Sequence, residues 1–117
     1  MKIAVYSAHD YDRDGLTAAN ANAGHDLLFI KAPLSADTAR QASGCGGACI
    51  FVNDHADAEA LRILAEDGVH LLALRCAGFN NVDAAEAKRL GISVTRVGDY
   101  SPHSVAEHAV ALLLALN

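Results

Sequence analysis

Five short apolar runs, separated by polar or alanine-rich stretches, set the rhythm of this chain. They fall at residues 2–7, 26–30, 48–52, 71–74 and 92–97. The run at 71–74 (Leu-Leu-Ala-Leu) shows no polar alternation, so it predicts a strand buried on both faces. The intervening stretches carry helix signals. Residues 10–23 are polar and alanine-rich and end at Gly24. Ser35 or Asp37 opens a short helix to Gln41, which Ser43-Gly44 terminates. Residues 57–67 place Leu61, Leu64 and Ala65 on one face before Gly68 stops the helix. A further helix runs from Asp83 to Arg89, with Asn81 or Asp83 as its cap and Gly91 behind it.

Strands alternating with helices at this spacing predict an α/β fold with a five-stranded parallel sheet covered by helices on both faces. The most economical strand order is the flavodoxin-like 2-1-3-4-5, within a single domain spanning residues 1–117. Ligands of such folds gather outside the carboxyl ends of the strands, near the switch point between the first and third. The loops at 7–12, 53–56, 75–80 and 98–103 are the ones placed there.

The stretch 71–83 gives this geometry a chemistry. A buried strand breaks at Ala77-Gly78 and a helix begins a few residues later. Turn amides between a strand's carboxyl end and a helix amino end favour an anion, so a carboxylate or phosphate cradle is expected, with an ordinary turn that binds nothing as the alternative. The last segment, 104–117, is apolar on all sides beyond His108. One small sheet face buries one stripe, so a partner subunit or further chain is expected to cover the other, unless this is a fifth crossover helix with exposed leucines.

Composition narrows the classes. At 117 residues the chain can bury roughly 65% of its unfolded surface, enough for a self-sufficient core. A net charge of −5, with nine Lys and Arg scattered along the chain, argues against a nucleic-acid partner. No apolar run approaches the ~20 residues that span a bilayer, so no membrane partner is expected. The chain enters a strand at once, which predicts no signal peptide and a cytoplasmic setting. Cys45, Cys49 and Cys76 match no common zinc spacing and read as reduced core fillers. His9, His55 and His103 come from loops at one end of the sheet but read as solvated, and His70 belongs to the far end. Asp10, Asp12 and Asp14 read as a solvated helix start favoured by the dipole.

Two long motifs amount to a family likeness. Arg75-Cys76-Ala77-Gly78-Phe79-Asn80-Asn81-Val82-Asp83, together with Tyr100-Ser101-Pro102-His103-Ser104-Val105-Ala106-Glu107-His108-Ala109, closely resembles the substrate domain of the NAD-dependent D-2-hydroxyacid dehydrogenases, and among these the D-lactate dehydrogenases. Residues 1–6, Tyr11-Asp12-Arg13 and Phe51-Val52-Asn53-Asp54 also fall where that group has them. The resemblance implies that backbone N–H groups at Ala77 and Gly78 receive the substrate carboxylate. It implies that Tyr100 faces the substrate, and that the loop from Phe51 to Asn53 lies near the substrate side chain. Arg75 leads into the turn, but the family's substrate-gripping arginine lies in the other domain. The helix matching 104–117 crosses into the cofactor domain and packs in a dimer. Gly98-Asp99 stands where the family more often has proline and a small residue, which bears on the rigidity of the loop holding Tyr100.

The cofactor fingerprint G-x-G-x-x-G is absent, since Gly44-Cys45-Gly46-Gly47 precedes its strand and has the wrong spacing. No cofactor is therefore expected in this chain, with NAD belonging to the parent enzyme. The family's hydride-transfer arginine, its histidine acid/base and the glutamate that tunes that histidine would lie beyond Asn117, as would the tail that returns to this domain. The expectation is a substrate-binding fragment, catalytically silent alone, that binds a 2-hydroxy or 2-keto acid weakly if at all. Its partners would be the missing NAD-binding domain and a second copy docked through 104–117. Two alternatives remain. One is a receiver-like phosphoacceptor using Asp10 and Asp54 with Mg²⁺, with Arg96 a poor stand-in for the usual lysine and a flavin site weaker still. The other is a fold that only self-associates.

Overall fold

The computed structural model describes residues 1–22, 24–51, 54–74 and 81–96. Five strands, β1 (Lys2–Val5), β2 (Asp26–Phe29), β3 (Gly47–Ile50), β4 (Leu71–Leu74) and β5 (Ser93–Arg96), pair in parallel in the order β2-β1-β3-β4-β5. The expected order is the observed one. Period-two alternation sends Ala4, Tyr6, Ala48, Ile50, Leu72 and Leu74 to one face and Ile3, Val5, Cys49, Leu71 and Ala73 to the other. All of them are buried, which is why the β4 sequence shows no polar alternation.

Helices α2 (Ala58–Glu66) and α3 (Ala84–Arg89) cover the first face with Ala60, Leu61, Leu64 and Ala87, while α1 (Asp10–Ala19) brings Leu16 to the second. Ala65, expected on the same stripe as Leu61 and Leu64, is only half-buried, and Ala60 takes the inner place. Of the two caps considered for α3, Asp83 performs the role, accepting the Glu86 N–H at 3.1 Å. Asp57 caps α2 in the same way through the Ala60 N–H at 2.9 Å. Gly68 ends α2 at φ +100°, a backbone state that a Cβ would strain. Glu86 joins α3 to α2 by accepting from Arg62 at 2.9 Å.

The helix expected from Ser35 or Asp37 to Gln41 is instead one 3₁₀ turn, Ala39–Ala42. The Thr38 hydroxyl donates to the Pro33 carbonyl at 2.7 Å and accepts the Ser35 N–H at 2.9 Å, which closes a local turn where the helix would have started. The buried Tyr6 hydroxyl then donates to the carbonyls of Thr38 at 3.0 Å and Ala39 at 3.2 Å. The Thr38 carbonyl also accepts the Gln41 N–H at 3.0 Å, an i to i+3 bond that makes the turn 3₁₀.

Burial, then the neighbouring Cys45 thiol, raises the Tyr6 phenol well above its ordinary value. A raised phenol pKa in the folded state gives stability that is complete below the unfolded value near pH 10 and is lost as pH climbs beyond it. Tyr6→Phe is therefore expected to cost about 1–2 kcal/mol at neutral pH, and to flatten the alkaline limb of a melting-temperature profile above about pH 10. A variant profile with the same alkaline slope would contradict it.

Cys45 and Cys49 are buried thiols on opposite faces of the sheet, as the core-filler reading expects, and burial pushes the Cys45 thiol up and so keeps it protonated. Cys76 lies outside the described residues. So does the segment 104–117, with the self-association and inter-domain roles expected of it. No helix among the described residues is long and apolar enough to cross a membrane.

Candidate functional site

The chain leaves β1 and β3 side by side at the carboxyl edge of the sheet, the switch point of the strand order. One buried carboxylate gathers the chain there. Asp54 is 0% exposed, and its Oδ1 accepts the Ser7 hydroxyl at 2.6 Å and the Leu34 N–H at 2.8 Å. Its Oδ2 accepts the Phe51 N–H at 2.6 Å, and the Asp54 N–H returns to the Phe51 carbonyl at 3.0 Å. Residues 51 and 54 thus bracket a turn closed in both directions.

Ser7, two residues beyond β1, supports this in the left-handed backbone region, at φ +51°, which serine adopts at a cost. The Ser7 N–H donates to the Ala32 carbonyl at 3.0 Å, and the 2.6 Å bond to Asp54 holds the side chain, so the strain is offset locally. Asn81, expected as a candidate cap, instead donates its side-chain amide to the carbonyls of Phe51 and Asp54, each at 3.0 Å. Its own carbonyl accepts the Ala56 N–H at 2.9 Å, and Ala56 pairs with Val82 in an isolated parallel bridge. Four segments that are distant in sequence, those of Ser7, Leu34, Phe51–Asp54 and Asn81, are thereby one hydrogen-bonded unit.

This arrangement removes the phosphoacceptor reading. A receiver-type aspartate must offer an oxygen to Mg²⁺ and a phosphoryl donor, whereas both Asp54 oxygens face protein donors and none of the residue reaches solvent. Asp10 stands exposed as the first residue of α1. Asp12, read as solvated, is 5% exposed. It accepts from the His9 backbone N–H at 3.0 Å and meets His9 Nδ1 at 3.3 Å, closing the start of α1. His9 therefore has a carboxylate partner that the sequence did not disclose. His70 sits at the amino end of β4, its N–H on the Gly46 carbonyl at 3.0 Å, as expected. Among the described residues, no group of three or more His, Cys, Asp or Glu is arranged to hold a metal ion.

His55, Asp57, Asn81, Val82 and Asp83 line an open cleft of about 330 Å³ beside this unit. Its two carboxylates are already engaged as helix caps, and their charge repels an anion. The glycine-rich 44–47 stretch does not fit a dinucleotide: it enters β3 at the opposite, amino edge. A Cβ on Gly46 would already meet His70 and Met1 at 3.3 Å, so that glycine serves close packing.

Of the residues expected to bind substrate, the described region contains Phe51, at intermediate exposure. Asn53, Ala77, Gly78 and Tyr100 lie outside it, as does His103. Sequence reasoning had passed over Ser7 and had given Asp54 and Asn81 other roles. The Phe51-Val52-Asn53-Asp54 motif contains both residues that bracket this turn, but nothing local signalled a carboxylate held from 20 and 47 residues away.

A parallel sheet in the order β2-β1-β3-β4-β5, covered on both faces, defines a flavodoxin-like α/β domain. Residues 3–113 match the family described as D-isomer specific 2-hydroxyacid dehydrogenase, catalytic domain, and the chain belongs to that family. It is 48% identical over 117 residues to the D-lactate dehydrogenase of Escherichia coli K12, covering 100% of this chain and 36% of that protein. It is 51% identical to a 2-hydroxyacid dehydrogenase homolog of Zymomonas mobilis, again over 100% of this chain and 35% of the relative. The apo structure of the Escherichia coli D-lactate dehydrogenase superposes with a TM-score of 0.84 at 48% identity, over 100% of this chain and 37% of that one. A D-lactate dehydrogenase from Lactobacillus jensenii, solved with NAD⁺, superposes with a TM-score of 0.76 at 34% identity, over 100% of this chain and 36% of that one. The chain thus spans about a third of the length of the relatives it matches.

Proposed function

We propose that this chain is the substrate-binding domain of an NAD-dependent D-2-hydroxyacid dehydrogenase of the D-lactate type, holding the acid by its carboxylate. In this reading the amides of Ala77 and Gly78 receive the carboxylate, Tyr100 faces the substrate, and Phe51 and Asn53 border its side group. The reading includes an NAD-binding domain as partner, a homodimer through 104–117 and a cytoplasmic setting. One observation supports it. β4 ends at the carboxyl edge with Leu74, and Asn81 is bonded to the turn at Phe51 and Asp54, so the described residues that flank 75–80 both lie at the edge where such folds take their ligands.

Reduction of a 2-keto acid needs a bound nicotinamide and a proton donor placed on the substrate oxygen. The chain's own contribution is to bind and orient. Alone, it is expected to bind pyruvate with a dissociation constant of about 1 mM or weaker and to leave NADH unoxidised. Titrating ¹⁵N-labelled chain with pyruvate should move the amide resonances of Ala77 and Gly78. Resonances that stay fixed through tens of millimolar ligand, or a falling NADH absorbance, would refute the proposal.

A further inference from the structure

We propose that the hydrogen-bonded unit around Asp54 is a latch: the segments that follow β1, β2 and β3 and the one that enters α3 open together, in a single conformational step short of unfolding. The latch holds whatever ligand the domain takes, and so stands apart from the substrate-binding reading.

Residues 54–56 are the bolt, bonded on both sides at once. On one side Asp54 Oδ1 accepts the Ser7 hydroxyl at 2.6 Å and the Leu34 N–H at 2.8 Å, and the His55 N–H donates to the Leu34 carbonyl at 2.8 Å. On the other, the Asp54 carbonyl accepts the Asn81 side-chain amide at 3.0 Å, the Ala56 N–H donates to the Asn81 carbonyl at 2.9 Å, and the Asp83 N–H donates to the Ala56 carbonyl at 3.0 Å. Leu34, Asp54 and Ala56 are each fully buried, so freeing one side alone strands donors and acceptors away from water. Freeing both sides hydrates them, which makes the joint step the lower in free energy.

Two features keep that step below unfolding. The strands end at Val5, Phe29, Ile50 and Leu74, so the bolt swings out with the ladders of the sheet intact. Ser7, at φ +51°, stores backbone strain while the latch is shut, and opening releases it.

Native-state hydrogen exchange of this chain, followed through low urea, reads the step at the amides of Leu34, His55, Ala56 and Asp83. All four are expected to share one opening equilibrium and one urea dependence, and to be about tenfold or more open relative to the amides of β3. Ser7→Ala removes a bond from one side only, while Asn81→Ala removes the side-chain bonds of the other and serves if Ser7→Ala fails to fold. Each is expected to speed exchange of all four amides by one common factor of about fivefold or more, Ala56 and Asp83 included for Ser7→Ala. A change confined to the substituted side, Leu34 and His55 for Ser7→Ala or Ala56 and Asp83 for Asn81→Ala, overturns the proposal, because each bond then acts only locally. Exchange of the four with the rate and urea dependence of β3 overturns it as well, since nothing then opens short of unfolding.

Discussion

Asp54→Ala is expected to lower the unfolding free energy by about 3–6 kcal/mol, read from urea denaturation at neutral pH. The magnitude follows from what the carboxylate holds. The Ser7 hydroxyl and the N–H groups of Leu34 and Phe51 all end on it within 2.8 Å, at a residue with no exposure. Alanine leaves three donors stranded at roughly 1–2 kcal/mol each, and the αL conformation of Ser7 loses the bond that offsets its strain. A domain of this size has about 5–15 kcal/mol to lose, so the variant should be close to unfolding. Asp54→Asn, which retains an acceptor, should lose about half as much. A loss below about 1 kcal/mol for the alanine variant would mean that the junction rehydrates without penalty, contrary to its burial.

Leu64→Ala should cost about 3–4 kcal/mol and lower the melting temperature by about 12 °C. Leu64 lies at the centre of the face that joins α2 to the sheet, fully buried with Leu61, Ile50 and Leu72. Backbone held in a parallel ladder does not collapse readily into the space left by three deleted carbons, so both the transfer and the cavity contributions apply. Leu27 gives the contrast: it stands half-buried on the edge strand β2, where solvent can replace it. Leu27→Ala should lose about half as much or less. Comparable losses at the two leucines would contradict the assignment of the main core to the α2 face.

Strands and their order were legible because the evidence for them is local. A double-sided apolar run such as Leu71–Leu74 is possible in few settings, and its alternation with helices leaves a short list of topologies. Asp83 was legible as one of two candidate caps for the same reason, since a cap and its N–H partner are three residues apart. What escaped depends on partners far along the chain. Residues 35–41 carry acceptable helix signals, but the buried Tyr6 hydroxyl, more than 30 residues away, bonds the carbonyls of Thr38 and Ala39 and docks this stretch as a 3₁₀ turn. Asp54 looks like a loop carboxylate in isolation, and only the fold brings Ser7 and Leu34 onto it. Asp12 was misread for a different reason. Aspartate at a helix start is ordinary on an exposed face, and no local pattern shows that this start is covered.

Preorganisation follows from the way Asn81 bridges to Phe51 and Asp54. The exit of β3 and the approach to α3 do not move independently, because one amide bonds the carbonyls of both Phe51 and Asp54. Their loss of freedom is incurred once, during folding, and local opening of either one must break the bonds that hold the other.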